Sequence, residues 1–469
     1  MNPPFDLVIR NARLVTASEM AATDIGLRGE EITAIGHDLR PGLAEYDAAG
    51  HFLLPGGVDS HCHIEQMTAA GIMNADSWES ASRAALHGGT TTIIPFAAQH
   101  RGKDLTAVVA DYHVRAEIGA MTDYAFHMIV TEPTEKVLTE DLPALIAAGH
   151  GSIKVFMTYD PLIVDDGGLL ALLTAAKAAG AMVCVHAENH AMIKWATARL
   201  LAEGKTAPQH QAAAHPRLAE TEAISRLIAL AELTRQPVMI FHVSTANSLD
   251  LIRAARARGV RIWAETCPHY LYLTDSAMER PGNEGAKWMC SPPLRGVADQ
   301  AALWAALRGG DLDIVSSDHA PFRPDATGKF AAGPDVAFNR IANGMPGLQT
   351  RMPLLIDAAL RGKLTLPQVV ELGATAPARI YNLGRKGRIS VGADADLVLW
   401  NPDSTTLLSD DTVQDGTGYT PYPGMELRGA ISAVWRRGKL VLKEGELLAR
   451  PGEGRFLPRS GGDAARWDS

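Results

Sequence analysis

The sequence places imidazole and carboxylate side chains at the ends of several short apolar runs. His61 and His63 stand two residues apart where the first run ends, His186 and His242 end two later runs, and Asp318 ends the last. Two residues at this spacing on a strand point to the same face. Imidazoles together with a carboxylate suit a divalent transition metal such as zinc. These residues predict a metal centre, provided that the ends of the runs meet in space.

Lys154 lies within the run GSIKVFMTY, whose other residues are typical of a buried strand. A buried ammonium is costly unless it is paired, and burial lowers the pKa of a lysine. A neutral amine can act as a base, form a Schiff base, or react with carbon dioxide to give a carbamate. The alternative is an ordinary ion pair with a nearby carboxylate. Beside a metal centre the carbamate is favoured, since an ammonium there would be repelled.

Other catalytic motifs in the chain are incomplete. The glutamate of His186-Ala-Glu188-Asn-His190 stands one position late for the zinc-protease pattern H-E-x-x-H. The same start matches a base deaminase, but no P-C-x-x-C follows it. We therefore assign no protease or deaminase chemistry to this segment.

The elements that must position these residues alternate regularly along the middle of the chain. Eight apolar runs, rich in β-branched and aromatic residues, predict buried strands at 51–61, 90–97, 123–130, 151–158, 181–188, 237–244, 261–268 and 313–320. Amphipathic patterns between them predict helices at 77–87, 105–118, 169–179, 220–233 and 248–258. Such alternation favours an α/β fold, a closed (β/α)8 TIM-like barrel. An open doubly wound sheet is the competing fold, because alternation alone does not show closure.

The two ends of the chain differ from this middle part. Residues 5–54, 387–402 and 430–447 contain short alternating strands separated by Gly and Asp, without helical patterns. They predict one small antiparallel β-sandwich domain assembled from both ends. The predicted domains are 1–54 and 385–450 for the two parts of the β-sandwich, 55–384 for the catalytic barrel, and 451–469 for a polar, Gly-rich tail or arm.

Composition excludes several classes of protein. The 469 residues are 46% hydrophobic and 21% charged, which excludes global disorder, and the net charge of −9 disfavours binding to nucleic acid or an anionic membrane. The N-terminus does not resemble a secretory signal, and the longest apolar stretch, 169–185, is too mixed to span a bilayer. Four scattered cysteines do not form a disulfide framework. We expect a cytoplasmic protein with no nucleic-acid or membrane partner.

The ordered motifs resemble the dihydropyrimidinase and D-hydantoinase branch of the cyclic amidohydrolases. The matching segments are GGVDSHCH (56–63), GGTTTIIPF (88–96), GSIKVFMTYD (151–160), VCVHAEN (183–189), IFHVST (240–245), ETCPHYLYLT (265–274), CSPPLR (290–295), SSDHAPF (316–322), GRISVGADADLVLW (387–400) and YTPYPG (419–424). They span nearly the whole chain in the family's order. The resemblance implies two divalent cations, with zinc as the expected metal. The implied ligands are His61, His63 and Asp318 for the more buried metal, His186 and His242 for the second, and Lys154, as carboxylated lysine, bridging both.

The same resemblance implies a reaction and a small-molecule substrate. A hydroxide between the two metals would open a cyclic amide of a hydantoin or dihydropyrimidine, giving an N-carbamoyl amino acid. Asp318 would shuttle the proton to the leaving nitrogen, and Tyr159 would stabilise the oxyanion. Backbone groups of Ser291 and Asn343 would hold the ring. The resemblance also implies a homotetramer.

The choice of substrate stays open between related reactions. Dihydroorotases usually have an arginine two residues after the second histidine, where it binds a substrate carboxylate, and this chain has Glu65 there, so we expect Glu65 to repel an anionic substrate. Allantoinases usually have asparagine there, yet GMPGLQTR (344–351) resembles their version more than that of dihydropyrimidinases, and cyclic imide hydrolysis is a further alternative. Loops at 67–73 and 159–166 are expected to form the pocket for the exocyclic group.

Two further alternatives belong to other functional classes. The superfamily includes non-catalytic scaffold homologues, the collapsin response mediator proteins, which lack the metal ligands. All six ligand positions here carry the expected residue types, which argues against a scaffold. The third alternative is an open α/β binding protein in which these histidines are only structural.

Overall fold

The computed structural model describes residues 3–68 and 71–467, and these form eighteen strands and thirteen α-helices. The strands are β1 (Leu7–Val15), β2 (Met20–Arg28), β3 (Glu31–Gly36), β4 (Ala44–Asp47), β5 (Phe52–Pro55), β6 (Gly57–Cys62), β7 (Thr90–Ala98), β8 (Asp123–Tyr124), β9 (His127–Ile129), β10 (Ser152–Phe156), β11 (Met182–His186), β12 (Val238–Ile240), β13 (Ile262–Thr266), β14 (Ile314–Val315), β15 (Leu397–Leu407), β16 (Glu426–Arg436), β17 (Lys439–Lys443) and β18 (Glu446–Leu447). The helices are α1 (Trp78–His87), α2 (Leu105–Gly119), α3 (Leu142–Ala147), α4 (Asp166–Ala179), α5 (His190–Ala202), α6 (Gln211–Ala214), α7 (Arg217–Thr234), α8 (Ala246–Ala257), α9 (Pro268–Tyr272), α10 (Val297–Gly309), α11 (Arg351–Leu360), α12 (Leu366–Val370) and α13 (Ala376–Ile380).

The middle of the chain forms a closed parallel barrel. Strands β6 to β14 pair in parallel, with β8 and β9 serving as consecutive parts of the third barrel strand. The last strand meets the first, because the backbone N–H of His63 donates to the carbonyl of His319 at 2.7 Å and Cys62 bridges to His319. The predicted (β/α)8 barrel is confirmed, and the open sheet is excluded by this closure.

The first predicted run, 51–61, divides between two sheets at Gly56. Strand β5 pairs with β15 in the sheet of the chain ends, whereas β6 begins the barrel. A Cβ on Gly56 would lie 2.2 Å from the Thr91 hydroxyl oxygen, so only glycine fits where the chain crosses. Periodicity could not show this division, because both halves of the run are buried.

The five predicted helices are present, with small shifts at their ends. Helix α1, for example, begins after Ser77, whose hydroxyl accepts a hydrogen bond from the Ser80 N–H and caps the helix. Helices α5 and α10 were not predicted, although each follows a barrel strand or its loop. Helix α5 matters most, because one of its faces lines the candidate site described below.

The two chain ends together form one nine-stranded sheet, in the order β18-β17-β16-β15-β5-β1-β2-β3 with β4 beside β1. The sheet is mixed rather than purely antiparallel, since β1 pairs in parallel with β4 and β5. Strand β3 also contacts the segment before β15, because the Ile32 N–H donates to the Ala393 carbonyl at 3.0 Å. A separate apolar core, which includes Ile25 and Trp435, belongs to this sheet. The predicted domain boundaries themselves stay predictions.

The chain beyond residue 451 packs against the amino-terminal end of the barrel. The Leu457 N–H donates to the Tyr124 carbonyl at 2.7 Å. The buried Arg459 guanidinium donates to the Phe126 carbonyl at 3.0 Å and to the Ser152 hydroxyl at 2.7 Å. This segment therefore closes the end of the barrel opposite to the predicted metal centre. Within residues 3–68 and 71–467, no helix has both the length and the hydropathy that crossing a membrane requires.

Candidate metal centre and active site

A cavity of about 790 Å³ lies at the carboxyl ends of the barrel strands. All nine residues predicted for the site line it, namely His61, His63, Lys154, Tyr159, His186, His242, Ser291, Asp318 and Asn343. The barrel brings together residues that are up to about 280 positions apart in sequence. Convergence at this end is the arrangement on which barrel enzymes build their active sites.

His61, His63 and Asp318 form the tightest group in this cavity. The Asp318 Oδ1 atom lies 3.1 Å from His61 Nε2 and 3.5 Å from His63 Nε2. One donor atom from each residue fits within a 4.8 Å span, as ligands of a single metal ion require. His61 lies at the end of β6 and His63 directly after it, and both imidazoles point to one place, as their spacing of two residues predicts.

His186 and His242 stand beside this group, at the ends of β11 and β12. Their ring centres are 4.5 Å apart, and the His242 ring centre is 5.3 Å from that of His61. Burial, together with the neighbouring His186 and Lys154, holds the pKa of His242 well below its usual value. A neutral imidazole is the form in which histidine binds a metal.

Three residues at the site have left-handed backbones although none is glycine. The φ angles are 71° at Tyr159, 40° at His242 and 45° at Asp318. Such conformations cost about 1–3 kcal/mol each and cluster at functional sites. Here each turns the chain sharply after a barrel strand and directs a side chain into the cavity.

Lys154 is buried in the barrel with its amine among three aromatic rings. Its Nζ atom lies 4.2 Å from the ring centre of Phe241, 4.7 Å from that of Phe156 and 5.2 Å from that of Phe96. No carboxylate of the described residues forms an ion pair with it, so the ordinary ion pair considered above is absent there. Burial lowers the pKa of Lys154 to about 8, although Asp318 and Glu265 oppose the shift.

Sequence reasoning missed the acidic residues that orient the histidines. A carboxylate oxygen of Glu265, at the end of β13, contacts His61 Nδ1. Glu188 Oε2 lies 2.7 Å from His186 Nε2. An amide oxygen, Gln66 Oε1, lies 2.6 Å from His63 Nδ1. The two glutamates could have been found from the sequence, because each is a carboxylate within or just after a buried apolar run.

Glu188 also connects the histidines to the predicted substrate residues. Its other carboxylate oxygen lies 2.9 Å from His215 Nδ1, and the Ser291 hydroxyl donates to Glu188 Oε2 at 2.9 Å. Burial and the Glu188 charge raise the pKa of Tyr159, which keeps its hydroxyl protonated as a donor.

Ser291 and Asn343 lie on two adjacent loops at the rim of the cavity. The Asn343 side-chain oxygen accepts a hydrogen bond from Gln211 at 3.4 Å. Within the described part of the chain, no residue hydrogen-bonds to the backbone N–H or C=O of either Ser291 or Asn343. These backbone groups are therefore free to meet the donors and acceptors of a ligand.

The arrangement fits a pair of divalent metal ions. The buried Nδ1 atom of His242 has no hydrogen-bond partner among the described residues, as expected for a nitrogen that binds a metal. Four imidazoles and a carboxylate are the donors that zinc prefers. Carboxylate or amide groups behind three of the histidines are the usual supports of metal ligands.

The structure corrects the expectation for Glu65. Its carboxylate accepts a hydrogen bond from the Trp78 N–H at 3.0 Å, at the start of α1, and Glu65 does not line the cavity. Glu65 therefore gives no reason to exclude an anionic substrate. Sequence position alone suggested proximity, but the left-handed backbone of Glu65 turns the side chain away.

The predicted exocyclic loops contribute to the cavity wall, together with elements that were not predicted. Met67, Thr68 and Ile72 from one loop and residues 159–162 from the other line it, whereas Ala69 and Ala70 lie outside the described residues. One face of α5 and the segment 338–344 complete the wall. The α5 face consists of His190, Ile193, Lys194, Thr197, Ala198 and Leu201, whose spacing follows the helical repeat.

Comparison with known proteins agrees with this fold. The model of the amidohydrolase family matches residues 52–441, and the chain belongs to that family. Within it, the chain is 39% identical to a D-hydantoinase of Ralstonia pickettii over 459 residues, which cover 97% of this chain and 99% of the relative. It is 38% identical to a D-hydantoinase of Rhizobium radiobacter, with the same coverage. The crystal structure of a dihydropyrimidinase from Brevibacillus agri superimposes with a TM-score of 0.93 at 38% identity, over 97% of this chain and 98% of that one.

Proposed function

We propose that this protein hydrolyses the cyclic amide bond of hydantoins or dihydropyrimidines to N-carbamoyl amino acids. The observation that carries the proposal is the convergence of four histidines, Lys154 and Asp318 on one cavity whose rim presents unpaired backbone groups of Ser291 and Asn343. The names of the relatives, D-hydantoinase and dihydropyrimidinase, support the same substrate class.

The metal ligands are part of this proposal. His61, His63 and Asp318 would hold one divalent cation, His186 and His242 a second, and Lys154, as its carbamate, would bridge them. The unpaired amine of Lys154 supports the carbamate, because an ammonium beside two cations would be repelled. When bound, the two cations, with zinc as the expected metal, would lower the pKa of a water molecule and polarise the ring carbonyl.

The chain's own residues then carry the proton and hold the substrate. Backbone groups of Ser291 and Asn343 bind the amide edge of the ring and orient its carbonyl. Asp318 accepts the proton of the attacking water at a carboxylate oxygen and returns it to the ring nitrogen as the C–N bond breaks. The protonated Tyr159 hydroxyl donates to the oxyanion that forms at the attacked carbonyl.

The cavity is larger than an unsubstituted ring needs. Its wall includes the apolar side chains of Ile193, Ala198 and Leu201 on α5, together with Phe322 and Phe338. We therefore favour hydantoins with a substituent at ring carbon 5 over the small imide ring of succinimide. The family resemblance supports a homotetramer, which size-exclusion chromatography with light scattering would test. The composition supports a cytoplasmic location, which cell fractionation would test.

A substrate panel tests the proposal. The zinc-loaded protein is assayed by kcat/KM with dihydrouracil, 5-substituted hydantoins, allantoin, succinimide and dihydroorotate. We expect the highest value for a 5-substituted hydantoin or dihydrouracil. Highest turnover of allantoin, succinimide or dihydroorotate would overturn the assigned substrate, and no turnover of any of them would favour a scaffold.

A further inference from the structure

Lys329, like Lys154, is a buried lysine near the cavity, but the proposed reaction does not use Lys329. It is 0% exposed, and its Nζ atom donates to the carbonyls of Gly344 at 2.8 Å, Ala342 at 3.0 Å and Met289 at 3.4 Å. Among the described residues, no carboxylate pairs with this amine. An ammonium has three N–H donors, and here three backbone oxygens receive them.

The loop before Lys329 is built to direct this side chain inward. The Lys329 N–H donates to the Arg323 carbonyl at 2.8 Å, and the Phe330 N–H donates to the Asp325 carbonyl at 2.9 Å. A Cβ on Gly328 would lie 2.3 Å from the Arg323 carbonyl oxygen, so this tight winding requires glycine. Burial lowers the pKa of Lys329 to about 7, and placing such an amine in the interior without a carboxylate is costly, yet the fold fixes it here.

The three carbonyls belong to the two loops that carry Ser291 and Asn343. Met289 precedes Ser291 by two residues, and Ala342 and Gly344 flank Asn343. The loops also join directly, through the Gly344 N–H and the Met289 carbonyl at 2.8 Å. Gly344 has a φ of 144° and packs against Ala320, two residues beyond Asp318. Lys329 thus connects both loops at the level of the site.

We propose that Lys329 is a positioning residue that sets the distance between the backbone groups of Ser291 and Asn343 and so determines affinity for the cyclic amide ring. This inference rests on the proposed function, because the ring is the ligand that those groups would hold. Without the amine, the Ala342 and Gly344 carbonyls would lose this donor, Met289 would keep only the Gly344 N–H, and the loops would separate. Groups that bind ring and transition state alike affect KM and leave kcat nearly unchanged.

The test compares Lys329→Met and Lys329→Gln with the wild type in the zinc-loaded protein. Methionine keeps an unbranched apolar side chain, one atom shorter than lysine, and removes all three donors, whereas glutamine, of similar length to methionine, keeps two N–H donors. We expect KM for a 5-substituted hydantoin to rise about tenfold in Lys329→Met and less in Lys329→Gln, with kcat within about threefold and zinc content unchanged. Should Lys329→Met fail to fold, Lys329→Gln carries the same test.

Arg459→Met is the matched control. Arg459 is likewise a buried cation bound to a backbone carbonyl, but it lies at the opposite end of the barrel. We expect this variant to melt at a lower temperature with an unchanged KM. An equal rise in KM in Arg459→Met, or an unchanged KM in both Lys329 variants, would overturn the positioning role.

Hydrogen–deuterium exchange separates this inference from the proposed function. In Lys329→Met we expect faster exchange in peptides covering 286–294 and 338–346 than in the wild type, and no such change in Arg459→Met. If the wild type opens no cyclic amide, the proposed function fails. If exchange in these two loops is unchanged in Lys329→Met, Lys329 does not hold them, whatever the result for the proposed function.

Discussion

The Nε2 atom of His186 lies 2.7 Å from a carboxylate oxygen of Glu188, two residues further along the same strand end. Both side chains are buried. Because Glu188 also accepts from Ser291, one carboxylate connects a predicted metal ligand to a predicted substrate residue. Its neighbours, first His215 and then His186, hold the pKa of Glu188 well below its usual value although burial opposes this, so it stays charged.

We expect Glu188→Gln to impair the metal centre without unfolding the barrel. The amide keeps the size of the side chain but loses the charge that orients His186 and His215. Supports of this kind contribute about 10-fold to 100-fold to metal affinity or activity, so kcat/KM should fall by a factor in that range. Enzyme kinetics and metal analysis measure the two effects. Glu203→Gln, on the exposed end of α5, serves as control and should behave as the wild type.

We expect Tyr159→Phe to reduce kcat rather than metal content. Removing one donor to an oxyanion costs about 100-fold to 1000-fold in kcat, and the phenyl ring preserves the packing against His186. Steady-state kinetics and zinc analysis on the same preparation provide the check. A variant with wild-type kcat would show that this hydroxyl does not act on the reacting carbonyl. Tyr46→Phe in the sheet of the chain ends is the control.

We expect Thr197→Trp to discriminate between large and small substrates. Thr197 lies on the face of α5 that lines the cavity, so the larger side chain would occupy the space for an exocyclic group. The value of kcat/KM for 5-benzylhydantoin should fall about tenfold or more, while that for dihydrouracil changes little. Ala191→Trp, on an exposed face of the same helix, should affect neither substrate. Equal losses for both substrates would place the exocyclic group elsewhere.

A buried ion cluster between the barrel and the sheet of the chain ends should control stability. The Lys386 amine lies 2.6 Å from Asp123, 2.9 Å from Asp396 and 3.0 Å from Asp394. We expect Lys386→Met to lower the free energy of unfolding by about 3–5 kcal/mol, because it removes the cation that three carboxylates share. Asp123 keeps Arg437 and Asp394 keeps Arg385, but Asp396 loses its ion pair. Denaturant unfolding at pH 7 measures this difference. A change below about 1 kcal/mol would contradict it.

The same cluster has a defined pH dependence. Burial lowers the pKa of Lys386, but Asp396, Asp123 and Asp394 outweigh burial and raise it above its usual value. A raised folded-state pKa stabilises the protein fully below the unfolded value, about 10.4, and this contribution is lost as the pH rises through the folded value. The difference between the wild type and Lys386→Met should therefore be constant from pH 7 to about pH 9. If this difference in stability disappeared between pH 7 and about pH 9, the raised pKa of Lys386 would be contradicted.

The barrel, and the convergence of the proposed metal ligands on one cavity, could be predicted from the sequence because their signals are local. His61, His186 and His242 each follow a buried run, and a barrel places all strand ends at one rim. The sequence could not show that the run at 51–61 divides between two sheets. The division occurs at Gly56, where Thr91 approaches closely, and such an approach leaves no periodic signal. The sequence likewise could not show that β1 pairs in parallel with β4 and β5, because this pairing depends on the path of the chain between the strands.

The supporting residues could not be predicted for a related reason. Glu265 and Glu188 act through contacts with histidines whose directions depend on the side chains around them. Lys329 lies in a loop, where its burial and its three carbonyl partners have no counterpart in the sequence pattern. Glu65 is the opposite case. Its position in the sequence predicted that its side chain lies in the cavity, but the backbone directs the side chain to the start of α1.

Zinc stoichiometry and ring opening in the wild type and in Lys154→Ala test the central claim most directly. Inductively coupled plasma mass spectrometry should find about two zinc ions per wild-type chain, with hydrolysis of a 5-substituted hydantoin. Lys154→Ala should lose metal and show no detectable ring opening, whereas the surface control Lys177→Ala should match the wild type. A folded Lys154→Ala that retains full zinc and full activity would contradict the account.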